Sequence, residues 1–414
     1  MRMKKRINIA MIVDKMQRAT RHLVELCSHN IRYSLLLAVA NSSLFILHSS
    51  LLMGCSSDDT DEPKTEKSSE VQLASYVAGY EEVNRTNMTR AWTPPSGFSV
   101  FDTGQRSISV FFTQNTTQNT TAGDERFFFK NSGKWMVSGE EISAGTYYLY
   151  GYMPHDKSIT SAVSVLTEEG KKEYQYGAVL TLSNVPTVSN ADFCVMVGAI
   201  NGYNNGYSAV SEDYEITGLK RGAFQYVAPG RGNNYVFLLF DHLFSALRLQ
   251  MRVQGDYNAL RTIKLKELKL MTYEGETATK KKTDVAITLE ANGNGNDPIT
   301  NVTFTPHGTE TEAGSVFTSE AGFELNENWQ EFTGHFMPQG VNKILLESTY
   351  DVYDKKGNLV RQGCTATNTL NISMFSGQTQ AKRGCRYTIN LTINPTYLYV
   401  LSDPDLDNPT VIVN

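Results

Sequence analysis

Several features are scarce in this sequence, and each scarcity closes a class of function. Positive charge is not in surplus: 38 Lys and Arg stand against 43 Asp and Glu, for a formal net charge of −5 and a pI near 5.9. The chain therefore offers no basic footprint for nucleic acid. Cysteine is sparse, with 5 in 414 residues. Cys27 and Cys55 fall in the N-terminal leader, and the remaining Cys194, Cys364 and Cys385 are too few for a disulfide framework in a large exported body. Helical signals are missing as well. After Cys55 no convincing amphipathic stretch carries caps at both ends, and Ser161 to Lys172 is at best one short helix.

Catalytic and cofactor signatures are equally thin. No Gly-x-Ser-x-Gly elbow accompanies the scattered Ser, His and Asp residues. The run Gly293-Asn294-Gly295-Asn296-Asp297 lacks both the strand-to-helix setting of a nucleotide loop and the spacing of a calcium loop, so it reads as a flexible turn. His242 has no second His, Cys or carboxylate at ligand spacing, and it reads as a buried or rim residue of a strand rather than a metal ligand or base. No cofactor, metal or catalytic residue is implied. A surface hydrolase would need paired carboxylates in a cleft, which 43 acids do not single out.

What is present begins with the leader. Met1 to Arg32 carries Arg2, Lys4, Lys5, Arg6, Lys15, Arg18, Arg21 and Arg32, and Tyr33 to Gly54 then runs without a formal charge. This is the order of a basic n-region and an apolar h-region, interrupted by too many serines to make a good membrane span. It ends in Leu52-Met53-Gly54-Cys55, which resembles the bacterial lipobox and implies lipidation at Cys55, with residues 1–54 as the signal sequence. Residues 55–70, opening Ser56-Ser57-Asp58-Asp59-Thr60-Asp61-Glu62, have almost nothing apolar to bury and read as a disordered acidic tether. Acids directly behind a lipidated Cys resemble the surface-export signal of Bacteroidetes lipoproteins; a solvated spacer is the alternative.

Beyond the tether, roughly 340 residues exceed one sandwich-sized domain. They consist of short alternating or apolar runs broken by Gly, Asn, Asp and Pro, among them Ile108–Phe112, Tyr147–Tyr152, Phe193–Ile200, Tyr235–Phe240, Leu247–Val253, Val285–Leu289 and Tyr387–Ile393. Period, length and β-branched or aromatic content mark these as strands. Lys355-Lys356-Gly357-Asn358 reads as the tight turn of a hairpin. The expected fold is all-β, with two β-sandwich domains in series, 91–232 and 233–401, divided near Pro229-Gly230-Arg231-Gly232. Cys364 and Cys385 flank two strands and could face each other across a hairpin as a disulfide, or be two buried thiols. Trp92, Trp135 and Trp329 fit core packing better than sugar stacking.

Several segments then converge on one family. Arg90-Ala91-Trp92-Thr93-Pro94-Pro95-Ser96-Gly97-Phe98, Tyr148-Leu149-Tyr150-Gly151-Tyr152-Met153-Pro154, Asp241 to Leu249 and Tyr350-Asp351-Val352-Tyr353-Asp354 resemble the fimbrillins, subunits of Bacteroidales type V pili. The resemblance implies transthyretin-like sandwiches and export as an outer-membrane lipoprotein to the cell surface. It further implies cleavage by an Arg-specific protease, polymerisation with other pilus subunits by donor-strand exchange, and an adhesion receptor on cells or matrix. On that pattern residues 71–90, with the alternating Val71 to Ala78, are the removable strand. Arg90 before Ala91 is the cut, with Arg85 as its rival. Residues 402–414 are a two-proline hinge and a candidate donor strand, Thr410-Val411-Ile412-Val413; a terminal strand folded back on its own domain is weighed equally. A surface glycan-binding lipoprotein is the second functional class.

Overall fold

Alternation of apolar and polar residues puts one face of each segment against a core, and nearly every alternating run becomes a strand. The computed structural model describes residues 68–83, 98–100, 107–114, 125–132, 134–139, 145–201, 224–226, 235–290, 298–375, 377–397 and 404–413, all within one unit, Glu66–Asn414. The first strands are β1 (Ser68–Ala78), β2 (Glu81–Val83), β3 (Phe98–Val100), β4 (Ile108–Thr113), β5 (Glu125–Asn131), β6 (Lys134–Ser138), β7 (Gly145–Met153), β8 (Thr160–Val165), β9 (Gly177–Pro186), β10 (Val188–Ser189), β11 (Cys194–Asn201) and β12 (Phe224–Tyr226). Next come β13 (Tyr235–His242), β14 (Ser245–Val253), the single-turn helix α1 (Gly255–Leu260), β15 (Arg261–Glu274), β16 (Thr277–Ala278), β17 (Lys282–Glu290) and β18 (Ile299–His307). The remainder are β19 (Gly314–Leu325), β20 (Gln330–Phe336), β21 (Lys343–Asp354), β22 (Leu359–Asn371), β23 (Cys385–Tyr397) and β24 (Pro404–Val413).

The first sandwich is built on a sheet that closes upon itself. Going round, β1 pairs with β6, β6 with β5, β5 with β4, β4 with β7, β7 with β11, β11 with β13, and β13 returns to β1. Period two then sends alternate side chains to opposite faces. In β7, Tyr147, Leu149 and Met153 enter the ring, where they meet Val77, Ile108, Val110, Phe128 and Phe240. Tyr150 and Tyr152 of the same strand point outward to a second core shared with Leu180, Leu182, Val285, Ile287 and Leu289. That second core is covered by the four-stranded sheet β18-β17-β9-β8. Because the ring wall is covered on both faces, β4 is buried at every position. Gly151 has a specific reason to be there: a Cβ at this site would lie 2.1 Å from the main-chain oxygen of Ser109 on the neighbouring strand.

In the second sandwich, the sheet β10-β20-β14-β23-β2, with β24 also on β23, faces the sheet β16-β15-β21-β22, with β19 also on β15. Leu247, Leu249 and Met251 of β14 and Tyr387, Ile389 and Leu391 of β23 meet Ile263, Leu265, Leu268, Ile344, Leu346 and Tyr350 from the facing sheet. The β21–β22 hairpin forms around the expected turn, with Gly357 at φ 86° and register shifts between Tyr350 and Tyr353.

Five expectations need correction. The boundary at 232/233 does not follow the sheets: β13 belongs to the ring, and the β17–β18 hairpin extends the sheet of β9, pairing Thr288 with Val179. The pairing joins segments more than a hundred residues apart, so local composition could not mark it. The expected tether, residues 55–70, runs into strand: Ser68 to Glu70 pair with β6. Ser161 to Val165, the start of the segment allowed as a short helix, lies in strand β8. The two prolines of the expected hinge lie within β24, tolerated because that strand is an edge and its register shifts between Pro395 and Thr396 of its partner. Cys364 and Cys385 form no disulfide. Their strands β22 and β23 are not hairpin partners but belong to opposite sheets of the second sandwich. Gly293 to Asp297 lies outside the described residues.

Candidate functional site

One short stretch, Ser68–Val83, enters both sandwiches. Its β1 runs parallel to β13, from Gln72↔Tyr235 to Val77↔Phe240. The other edge of β1 pairs antiparallel with β6 over Ser68 to Val71 and with β3 over Tyr76 to Ala78. Val77 is 4% exposed and belongs to the ring core. Three residues further on, β2 lies parallel to β23, Glu81↔Cys385 to Val83↔Tyr387, and Val83, 2% exposed, belongs to the core of the second sandwich. The ring is thus closed by a stave whose continuation caps an edge of the other sandwich. Ser75 on that stave is buried with its hydroxyl unbonded among the described residues, which works against tight seating by about 1–3 kcal/mol.

Between the two strands, Tyr80 occupies a polar seam. Its hydroxyl donates to Asp192 Oδ1 at 2.7 Å, and its ring stacks on His242 with centroids 3.5 Å apart. His242 ends β13 and is the cross-strand partner of Cys194, which opens β11. The ring Nε2 of His242 donates to the carbonyl of Ala78 at 2.7 Å, and Nδ1 lies 2.9 Å from Asp192 Oδ2 and 3.5 Å from Cys194 Sγ. Burial opposes the ionisation of Asp192, but the neighbouring His242 imidazole and the Tyr80 hydroxyl hold its carboxyl well below the usual range. Burial, with the Asp192 charge adding to it, pushes the Tyr80 hydroxyl far above its ordinary value. The two nitrogens of the imidazole thus face one carbonyl and one carboxyl group. Further along the segment, Arg386 Nε donates to Glu82 Oε1 at 2.6 Å, fixing β2 on its neighbour.

His242 is legible in the sequence, but its company is not. It is buried at the end of a strand, as expected, yet Asp192 and Cys194 stand beside it from 50 and 48 residues away in the chain. A spacing rule applied to neighbours in sequence could not bring them together; only the β11–β13 register does.

The C-terminal strand is folded back on its own domain. β24 pairs antiparallel with β23 from Leu391↔Val413 to Tyr397↔Pro404, and Val411 is buried. Side chains from three other elements grip its main chain: Tyr257, Tyr350 and Asn368 donate to the carbonyls of Leu406, Pro409 and Val411, each at 2.9 Å. Arg261 adds an ion pair to Asp407 at 2.8 Å. Both β2 and β24 lie on the edge of β23 that β14 leaves open.

Cys55, Arg85, Arg90, Ala91 and Trp92 lie outside the described residues. Trp135 packs partly buried against the ring core. Trp329 is exposed, with the Arg252 guanidinium 4.3 Å over its ring, so one face is already occupied.

No protein-family model and no curated protein matches the sequence. Among solved structures, the chain is similar to a candidate cell adhesion protein from Bacteroides uniformis, at 10% identity over 86% of this chain and 99% of that one, TM-score 0.31. It is also similar to a candidate cell adhesion protein from Bacteroides fragilis, at 10% identity over 84% and 97%, TM-score 0.33. A third similar structure is the fimbrial anchor protein Mfa2 from Porphyromonas gingivalis, at 11% identity over 83% and 97%, TM-score 0.21.

Proposed function

We propose that this chain is a fimbrillin-like structural and adhesive subunit of a cell-surface pilus. In this reading it is exported as an outer-membrane lipoprotein through Cys55, matured by an Arg-specific protease, and assembled by strand exchange, with no catalytic step of its own. The observation that carries the reading is the double seating of Ser68–Val83. Arg85 and Arg90 both follow Val83 and precede β3 in the sequence, so a cut at either one severs β1, Tyr80 and β2 from the body as a single piece.

Loss of that piece would bare the edges of β13 and β6 in the ring and of Cys385 to Tyr387 in the second sandwich. Unpaired main-chain donors and acceptors beside an apolar slot are unstable in isolation, and one added strand satisfies both. Parallel pairing along β13 and β23 and the buried Ser75 hydroxyl make the resident segment a modest occupant. A strand from another subunit that buries three or four apolar side chains would contribute about 1.5–3 kcal/mol for each. The candidate donor, Thr410 to Val413, must first leave β23; until it does, the subunit is an acceptor only.

The test treats the purified protein with a trace of Arg-specific protease and follows it by N-terminal sequencing and unboiled SDS electrophoresis. The expected result is a new N-terminus at Ala91 and an SDS-resistant ladder, both lost in Arg90→Lys. A clean cut that leaves monomers sinks the strand exchange. Absence of any discrete cut sinks the maturation step.

A further inference from the structure

We infer that Asp192, Cys194 and His242 form a zinc site at the mouth of the ring. The three residues offer one oxygen, one sulfur and one nitrogen, all within 4.8 Å of one another, and Cys194 and His242 are fully buried side chains on paired strands. Bond lengths near 2.0–2.3 Å in a tetrahedron place ligand atoms about 3.2–3.6 Å apart. The observed separations from His242 Nδ1, 2.9 Å to Asp192 and 3.5 Å to Cys194, need little adjustment to receive an ion.

Three further features fit a metal better than a bare ion pair. The His242 Nε2–H is committed to the Ala78 carbonyl, which leaves Nδ1 as the nitrogen with a lone pair once its proton departs; a backbone carbonyl on the far nitrogen is the usual orienting partner of a metal-bound imidazole. The ligand set carries two negative charges after the thiol ionises, so a divalent ion makes the buried cluster neutral and avoids an uncompensated charge in a poorly solvated place. Mixed thiolate, imidazole and carboxylate donors suit zinc and disfavour magnesium or calcium. The Tyr80 hydroxyl, already bonded to Asp192, or a water completes the fourth position. Binding displaces the Cys194 thiol proton and any proton carried by Nδ1, and forms bonds from the ion to nitrogen, sulfur and oxygen.

The experiment unfolds the protein, refolds it with zinc chloride or cobalt chloride, dialyses it, and counts metal per chain by elemental analysis. Retention of one zinc per chain is expected. In the cobalt form, a thiolate-to-cobalt charge-transfer absorption and the intense visible bands of a four-coordinate ion are expected. Cys194→Ser should abolish the charge-transfer band, and Asp192→Asn should weaken zinc binding by roughly tenfold or more. Cys364→Ser with Cys385→Ser should change neither. Retention of no metal by the refolded wild type overturns the proposal, as does a cobalt spectrum without a thiolate band. If Cys194→Ser fails to fold, the wild-type cobalt spectrum beside the Cys364/Cys385 double variant decides alone, since Cys194 is then the one thiolate left in the body of the chain.

Discussion

The two terminal segments share one edge of β23 but are held by different means. The N-terminal stretch runs parallel to β13 and β23 and antiparallel to β6 and β3, and its side-chain polar contacts gather within a few residues around Tyr80. The C-terminal strand is antiparallel, and its grip is spread along its length through Tyr257, Arg261, Tyr350 and Asn368. Side-chain bonds gathered in one place can be undone together, which leaves main-chain pairing and the two buried valines to hold the stretch. A segment held by distributed bonds must break several together. Under the proposed function, the contrast favours the N-terminal stretch as the segment exchanged and the C-terminal strand as the one retained.

The largest test of this contrast is Tyr80→Ala. Removing a half-buried aromatic that stacks on His242 and bonds to Asp192 should cost about 2–3 kcal/mol, and the loss should appear as a lower urea midpoint with rapid hydrogen exchange across Leu73 to Val83 and unchanged exchange in β24. Smaller effects follow from Val77→Ala and Val83→Ala, which should each destabilise by about 2 kcal/mol. Because the two valines enter separate cores, their effects should add to within about 0.5 kcal/mol in the double variant. A clear departure from additivity would mean that the stretch does not act as two independent plugs.

Next, Tyr257→Phe and Tyr350→Phe each remove one bond to the C-terminal strand and should cost about 1 kcal/mol apiece. Exchange of the amides from Leu406 to Val413 should quicken while that of β1 stays constant, and equal quickening at both ends would break the comparison. The smallest expected change is a gain. Ser75→Ala removes a buried hydroxyl without a partner and should raise stability by about 1 kcal/mol while slowing departure of the cleaved segment, read by gel filtration after proteolysis.

The strands of this protein were legible because side-chain alternation is a local property. Ile108–Phe112, Tyr147–Tyr152, Leu247–Val253 and Tyr387–Ile393 all stand where their period placed them, and the Gly357 turn forms the hairpin it announces. Polar edge segments such as β18 and β19 were not legible, since most of their positions are exposed or half-exposed and the apolar signal is thin. At the seam, His242 was visible as a buried strand residue, but Asp192, Cys194 and Tyr80 were invisible as its partners.

Sequence alone thus determined the all-β character, the turn chemistry, the acidic charge balance and the candidate export and cleavage signals, each of which is written in a few consecutive residues. Tertiary structure decided which edges meet: that β1 closes a ring, that the β17–β18 hairpin joins the first sandwich, that Cys364 and Cys385 sit in opposing sheets, and that Asp192 and Cys194 converge on His242. The physical reason is that a period of two tells a strand which face is buried, while its edge donors and acceptors are nearly the same in every strand. The choice of partner is made only when the side chains of distant strands fill a common core.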